Sequence, residues 1–311
     1  MNKIFVTGGN GFIGRAICQS LSVLKYSVCA AVRNKDIISQ LPNVKYISVG
    51  DICLKKDWKN LLAGYDCVIH CAGIADQKNK NLTKIYKQVN TEATEKLAEQ
   101  CASMGVKKFI FLSSISVLGQ YTDLNKPFKY SDKPNPIGDY AISKYNAEKK
   151  LIKISDKTSL EVIIIRPPIV YGLRAKGNIK RIIKILKLRL PLPFGLIDNK
   201  KSFISINNLI GILICCIKHP NLKSKVFLVS DDDDLSLVEF LKKIASANGY
   251  SLLTFPFPIF LLKFFGFLFK KNNEINKLLS NLQIDINYTK EILNWKPSFS
   301  AEVQIRKSFD R

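Results

Sequence analysis

Histidine is almost missing from this chain: of 311 residues only His70 and His219 are imidazoles, and methionine and tryptophan also number two each. The eight cysteines, at 18, 29, 53, 67, 71, 101, 215 and 216, form no Cys-x-x-Cys pair. A zinc centre therefore has little to draw on, and no metal site is expected. His70-Cys71 closes a strand-like run, where packing accounts for both. Unpaired thiols fit a reducing compartment, so a cytoplasmic location is expected. Acidic residues are also scarce, 25 against 48 basic ones, for a net charge of +23. Only eight of the basic residues are Arg. The 40 Lys are spread along the chain and no nucleic-acid motif appears, so nucleic acid is not expected as a partner. A Lys-rich background is the bland reading of the charge; an anionic substrate or an anionic membrane surface is the functional one. No signal peptide is expected, because Met1-Asn2-Lys3 leads straight into a strand. With 47% apolar and 23% charged residues, disorder, a collagen-like chain and a small disulfide scaffold are excluded.

What is present is a rhythm. Lys3–Thr7, Ser27–Val32, Val44–Val49, Cys67–Cys71, Lys108–Ser113 and Glu161–Ile165 read as strands. Helical stretches run to about Leu24 and over Thr91–Met104 and Asp139–Ser155. Strands alternating with helices predict an α/β fold, a doubly wound parallel sheet of Rossmann type. Cys67–Ile69 and Val162–Ile165 are apolar throughout, as strands buried on both faces require. After about Tyr171 the rhythm breaks into a Lys-rich helix (Asn178–Arg189), a Pro/Gly segment (Leu190–Leu196) and further helices. The expected division is a dinucleotide-binding domain over 1–170 and a smaller, mostly helical substrate lobe over 171–311, with strands of the latter free to return to the main sheet. No internal repeat is evident.

Leu252–Phe269, LLTFPFPIFLLKFFGFLF, is nearly all apolar and is followed by Lys270-Lys271. Its length approaches a bilayer span, but Pro256, Pro258, Lys263 and Gly266 argue against one. A buried helix of the second lobe and an interfacial helix in peripheral contact with a membrane are the two readings that remain.

Thr7-Gly8-Gly9-Asn10-Gly11-Phe12-Ile13-Gly14 lies between the first strand and the first helix. Backbone can approach a pyrophosphate closely only where Cβ is missing, and a helix N-terminus offers unbonded N–H groups and positive potential. In this strand–turn–helix setting the motif predicts a dinucleotide. The second strand ends Ala30-Ala31-Val32-Arg33, without the acid that usually takes the ribose hydroxyls of NAD. Arg33, with Arg15 nearby, suits a 2′-phosphate, so the reading leans to NADP while NAD stays open. After the third strand, Asp51 is placed to accept from the adenine amine, with Ile52 beside the ring.

Tyr140 and Lys144 stand four apart, hence on one helix face, and Ser114 ends the fifth strand. A tyrosine loses its proton near pH 10. A neighbouring ammonium and a nicotinamide cation favour the phenolate and bring it into working range.

Gly8–Gly14, His70-Cys71-Ala72-Gly73, Asn90, Ser114, Tyr140/Lys144 and Arg166-Pro167-Pro168-Ile169-Val170-Tyr171-Gly172 together resemble the extended short-chain dehydrogenase/reductases, and within them the nucleotide-sugar epimerase/dehydratase branch. The likeness runs along essentially the whole chain. It implies Tyr140 as the acid/base, Lys144 on the nicotinamide ribose, and Ser114 on the same sugar oxygen as Tyr140. It also implies Gly8, Gly11, Phe12, Ile13, Gly14, Ala72, Gly73, Pro167 and Ile169 around the cofactor, and Asn90 bracing the helix that carries Tyr140. Two departures stand out: Leu173-Arg174 replaces the usual Pro-Gly, and Lys201-Ser202-Phe203-Ile204 stands where the family has Arg-Asp. Lys201 and Asn178 are the candidates for the substrate diphosphate. Ile115-Ser116 replaces the acidic pair of the 4,6-dehydratases, which argues against water elimination. The implied function is C4 epimerisation or 4-keto reduction of a nucleotide sugar of UDP-hexose or UDP-N-acetylhexosamine type for bacterial surface polysaccharide. A polyprenyl-diphosphate-linked sugar, a hydroxysteroid substrate and a non-catalytic NADP-binding regulator are the alternatives, and a homodimer is left open.

Overall fold

The computed structural model describes residues 2–34, 41–54, 57–75, 82–172, 186 and 190–309. Its centre is a seven-stranded sheet. Six strands are β1 (Lys3–Thr7), β2 (Ser27–Val32), β3 (Val44–Ser48), β4 (Cys67–His70), β5 (Lys108–Leu112) and β6 (Glu161–Arg166). Two short strands follow, β7 (Ile169–Tyr171) and β8 (Phe203–Ser205), and then β9 (Lys225–Leu228). The large sheet runs β3-β2-β1-β4-β5-β6-β9 and every pairing is parallel. The order reverses between β1 and β4, which opens a crevice at their carboxyl ends.

Alternation explains the two cores. Ile4 and Val6 of β1, and Ile163 and Ile165 of β6, point to one face. There they meet Ile17, Cys18 and Leu21 of α1 (Phe12–Val23) and Leu209 and Leu213 of α6 (Ile206–Lys218). Phe5, Val162 and Ile164 point to the other face. They meet α2 (Lys59–Leu62), α4 (Ala93–Ser103) and α5 (Asp139–Lys157) through Leu62, Leu97, Ala98, Cys101, Ala147 and Leu151. Between them α3 (Leu82–Tyr86) runs into a π-helical stretch, Lys87–Glu92, ahead of α4. A side-chain period of two thus buries both faces of each central strand.

The second lobe is built on the parallel pair β7 and β8. Phe203 stacks on Phe240 of α7 (Leu237–Ala247) at 4.1 Å between ring centroids, and Tyr171 donates from its hydroxyl to Asp231 Oδ2 at 2.6 Å. The chain then returns to the large sheet: α6 covers one face and β9 pairs with β6. A division at 170 therefore separates stretches of sequence, while the large sheet draws on both. Beyond α7 follow α8 (Ile259–Leu268), α9 (Asn272–Leu279), α10 (Asn287–Leu293) and α11 (Ala301–Phe309). Leu252–Phe269 is not a buried helix: α8 buries only Leu262 and Gly266. Among the described residues no helix is long and apolar enough to cross a membrane.

Candidate active site

The glycine turn closes on itself at the end of β1. Gly8 has φ +66°, and a Cβ there would come within 2.9 Å of the Ala72 nitrogen, so the first turn packs backbone on backbone. Gly11 N donates to Gly8 O at 2.8 Å and begins α1. No side chain caps α1, and its first turn carries no acid. An uncapped, acid-free helix start beside bare backbone is a fitting seat for a pyrophosphate.

Gly8, Gly11, Arg33, Asp51, Ile52, Ala72 and Gly73 line one cleft of about 300 Å³. Asn10 and Cys71 of the quoted motifs complete its wall together with Val49, Ile74 and Val89, which carry no site signal in the sequence. Arg33 is exposed at the cleft, past the end of β2. Asp51 lines it while accepting from Cys53 N at 2.9 Å, so the same carboxylate also shapes its turn. Gly14 does not line the cleft; it packs under the Gly8 backbone. Phe12 and Ile13 lie against the core below. The cradle fits a nicotinamide dinucleotide.

Gly73 joins this cleft to Asn90 and Lys144. A Cβ there would sit 3.0 Å from Asn90 Oδ1 and 3.5 Å from Lys144 Nζ. Lys144 is buried, donates to Leu112 O at 2.8 Å and lies 4.5 Å over the Phe111 ring. Burial pushes its amine down to about 8, with Cys71 and Glu148 acting the other way. Tyr140 is half-buried in the first turn of α5. Burial raises its phenol above the ordinary tyrosine value, the Ser114 hydroxyl opposes this, and Tyr86 adds to the rise. The lowering expected from a neighbouring ammonium does not set the direction; desolvation, which penalises the anion, does.

Ser114 holds two positions in one chain of hydroxyls. Ser116 Oγ donates to Ser114 Oγ at 2.9 Å, which leaves the Ser114 proton for Tyr140. Ser114 also caps the short 3₁₀ turn Ile115–Val117 by accepting from Ser116 N at 3.2 Å. The sequence marks Ser116 only as the replacement of an acid.

Asn90 is buried in the π-helical stretch. Its Oδ1 accepts from Ile74 N and its Nδ2 donates to Ile74 O and to Ser143 Oγ, each at 3.0 Å. Ser143 in turn donates to Tyr140 O at 2.7 Å. Asn90 therefore ties the loop following β4 to the turn that carries Tyr140. His70 stands behind it. Its Nδ1 lies 2.7 Å from Thr7 Oγ1 and its Nε2 2.9 Å from Thr94 Oγ1. Thr94 spends its proton on Asn90 O at 2.8 Å, so Nε2 is the donor. Burial, with Lys144 in support, pushes His70 down to about 3.

Pro167 follows β6, where its carbonyl accepts from Ile115 N at 3.0 Å, and Ile169 is exposed on β7. Asn178 lies outside the described residues. Lys201, a candidate for the substrate diphosphate, is engaged at a helix end. Its buried amine donates to Lys277 O at 2.9 Å and Ser280 O at 2.6 Å, at the carboxyl end of α9, and burial pushes it down to about 8. A cation on terminal carbonyls is a helix cap, and these two carbonyls are the partners its amine has here.

A sequence model of the NAD dependent epimerase/dehydratase family matches residues 4–229. A UDP-glucose 4-epimerase of Vibrio cholerae is 41% identical over 303 residues, covering 95% of this chain and 90% of that protein. The N-acetyl-alpha-D-glucosaminyl-diphospho-ditrans,octacis-undecaprenol 4-epimerase of Escherichia coli O157:H7 is 24% identical over 266 residues, 84% of this chain and 77% of that protein. Among solved structures, UDP-glucuronic acid 4-epimerase from Bacillus cereus in complex with UDP-glucuronic acid and NAD superposes with a TM-score of 0.80 at 22% identity, covering 99% and 98%. That last likeness is one of fold.

Proposed function

Because the chain belongs to the NAD dependent epimerase/dehydratase family, we propose that it is an NAD(P)-dependent C4 epimerase of a UDP-hexose or UDP-N-acetylhexosamine, serving bacterial surface-polysaccharide sugars. The observation that carries this is the Ser116–Ser114–Tyr140 hydroxyl chain beside buried Lys144, joined to the glycine cradle through Gly73. When bound, the nicotinamide supplies a hydride acceptor and, afterwards, the donor. Tyr140 takes the proton of the C4 hydroxyl as the C4 hydrogen leaves as hydride, and the product of this half is a 4-keto sugar. Ser114 holds the same oxygen. After the ketone presents its other face, Tyr140 returns the proton to the oxygen as hydride returns to carbon, so the net change is inversion alone. Lys144 places positive charge near the phenolate while the proton is away.

In the Escherichia coli relative the sugar is carried on undecaprenyl diphosphate. A polyprenyl-linked sugar is the second reading for this chain, and the exposed aromatic residues of α8 favour it.

The test is to incubate purified protein with UDP-hexoses and with 4-keto UDP-sugars, with and without NADPH. Interconversion of hexoses on catalytic cofactor supports epimerase. Stoichiometric NADPH use on the 4-keto sugar makes the protein a reductase instead. Absence of turnover on either refutes the nucleotide-sugar reading.

A further inference from the structure

Helix α8 leaves most of its apolar surface uncovered. Its inner side is narrow: Leu262 packs with Ile197 and Val238, and Gly266 lies so close to Ile275 that a Cβ would reach 2.8 Å from its Cγ1. On the outer side Phe260, Phe264, Phe267 and Leu268 are 69%, 56%, 71% and 60% exposed. The spacing i, i+4, i+7, i+8 sets them on one face. Phe269 continues the patch just past the helix. Contiguous apolar surface of this kind marks an interaction site. At ten residues, about 15 Å, α8 is too short to cross a bilayer.

Charge indicates what covers it. Residues 252–279 carry four Lys and a single acid, Glu274, which already lies 3.5 Å from Lys271. Lys263 falls three residues after Phe260, and Lys270 and Lys271 follow the helix; all three are exposed. Their stems can lie along the apolar side while the ammonium groups reach lipid headgroups. A second copy would instead set the same lysines against each other on chains already at +23.

We propose that α8, with Phe269–Lys271, docks the protein on an anionic lipid bilayer, the helix axis lying in the plane of the interface. This holds for either substrate, because it uses no residue of the catalytic site. It places the enzyme at the membrane on whose surface a lipid-linked sugar would be presented.

The test is co-sedimentation of the full chain with vesicles of phosphatidylcholine alone or mixed with phosphatidylglycerol. Binding is expected on the mixed vesicles only, weakened by salt. Phe264→Glu with Phe267→Glu should lower it by about tenfold or more and leave the circular dichroism spectrum and turnover of soluble substrate unchanged, since both side chains are exposed. Lys270→Gln with Lys271→Gln should lower binding by a similar factor and flatten its salt dependence. Folded wild type that ignores anionic vesicles at low salt overturns the proposal. So does a double Phe variant that binds like wild type, or one whose only effect is to split a dimer. Loss of turnover with vesicle binding intact would instead strike the epimerase reading.

Discussion

Glu148 and Arg166 face each other as a buried two-pronged ion pair, with Arg166 Nε 3.0 Å from Oε1 and Nη2 2.6 Å from Oε2. Ser113 Oγ donates to the same Oε1 at 2.5 Å. Three segments meet here: β5 just before Ser114, α5 one turn past Lys144, and β6 just before Pro167. Deleting one partner strands a buried charge. Glu148→Ala should therefore cost about 3–5 kcal/mol of stability, and adding Arg166→Met should return much of it. Urea unfolding of the three variants checks this. Equal stability of Glu148→Ala and wild type would refute it.

Tyr140→Phe removes the proton carrier and leaves the ring packed edge-on against Tyr86 at 6.0 Å. Turnover should fall by about two to four orders of magnitude with cofactor affinity retained. Without cofactor, the tyrosinate absorbance that this variant lacks should appear above the ordinary tyrosine range, because burial raises the phenol. A variant within a few fold of wild type in rate would end the assignment.

Arg33 lines the same cleft as Asp51 and Ile52, and the sequence reading gives it the 2′-phosphate of NADP. Arg33→Ala should weaken NADP(H) and leave NAD(H) nearly unchanged. Titrating both cofactors against both proteins decides it. Equal weakening of the two, or a wild-type preference for NAD(H), would remove the guanidinium from the specificity argument.

Lys201→Met should leave the KM for a UDP-sugar unaltered, since its amine serves the end of α9. It should also change how stability follows pH. The amine has a folded pKa of about 8 against an ordinary 10.5. Below about 8 both states hold the proton, and the full burial penalty applies. Between about 8 and 10.5 the unfolded chain holds a proton that the folded one has released, so this group adds stability as pH rises. Lys201→Met should lack that rise in denaturation series at neutral and alkaline pH. A raised KM with normal unfolding would return Lys201 to the substrate.

The strands from Lys3 to Arg166, the glycine turn, and the placing of Tyr140 and Lys144 on one helix were legible in the sequence. Each rests on local spacing: a period of two with apolar runs for buried strands, missing Cβ atoms for a tight turn, and four residues for one helix face. Proximity across the chain left no such mark. Asn90 reaches Ser143, 53 positions away, through a π-helical stretch that no period announces. Glu148 lies four residues after Lys144, a spacing that signals a shared face, but its partners Arg166 and Ser113 sit on two other elements. β7 and β8 are three residues each, too short to show alternation.

The two lysines of similar burial show where the division falls. Sequence determined that Lys108 begins a strand, while the strand that Lys201 precedes left no mark in it. Only the tertiary structure decided that each amine turns to the carbonyls at a helix end, Lys108 to Cys216 and Ile217 of α6 and Lys201 to Lys277 of α9 and Ser280 just beyond it. Composition likewise made Leu252–Phe269 apolar, while its exposure depended on what packs against it. Local pattern sets what an element is; whether its side chains meet protein, lipid or water depends on which distant elements cover it.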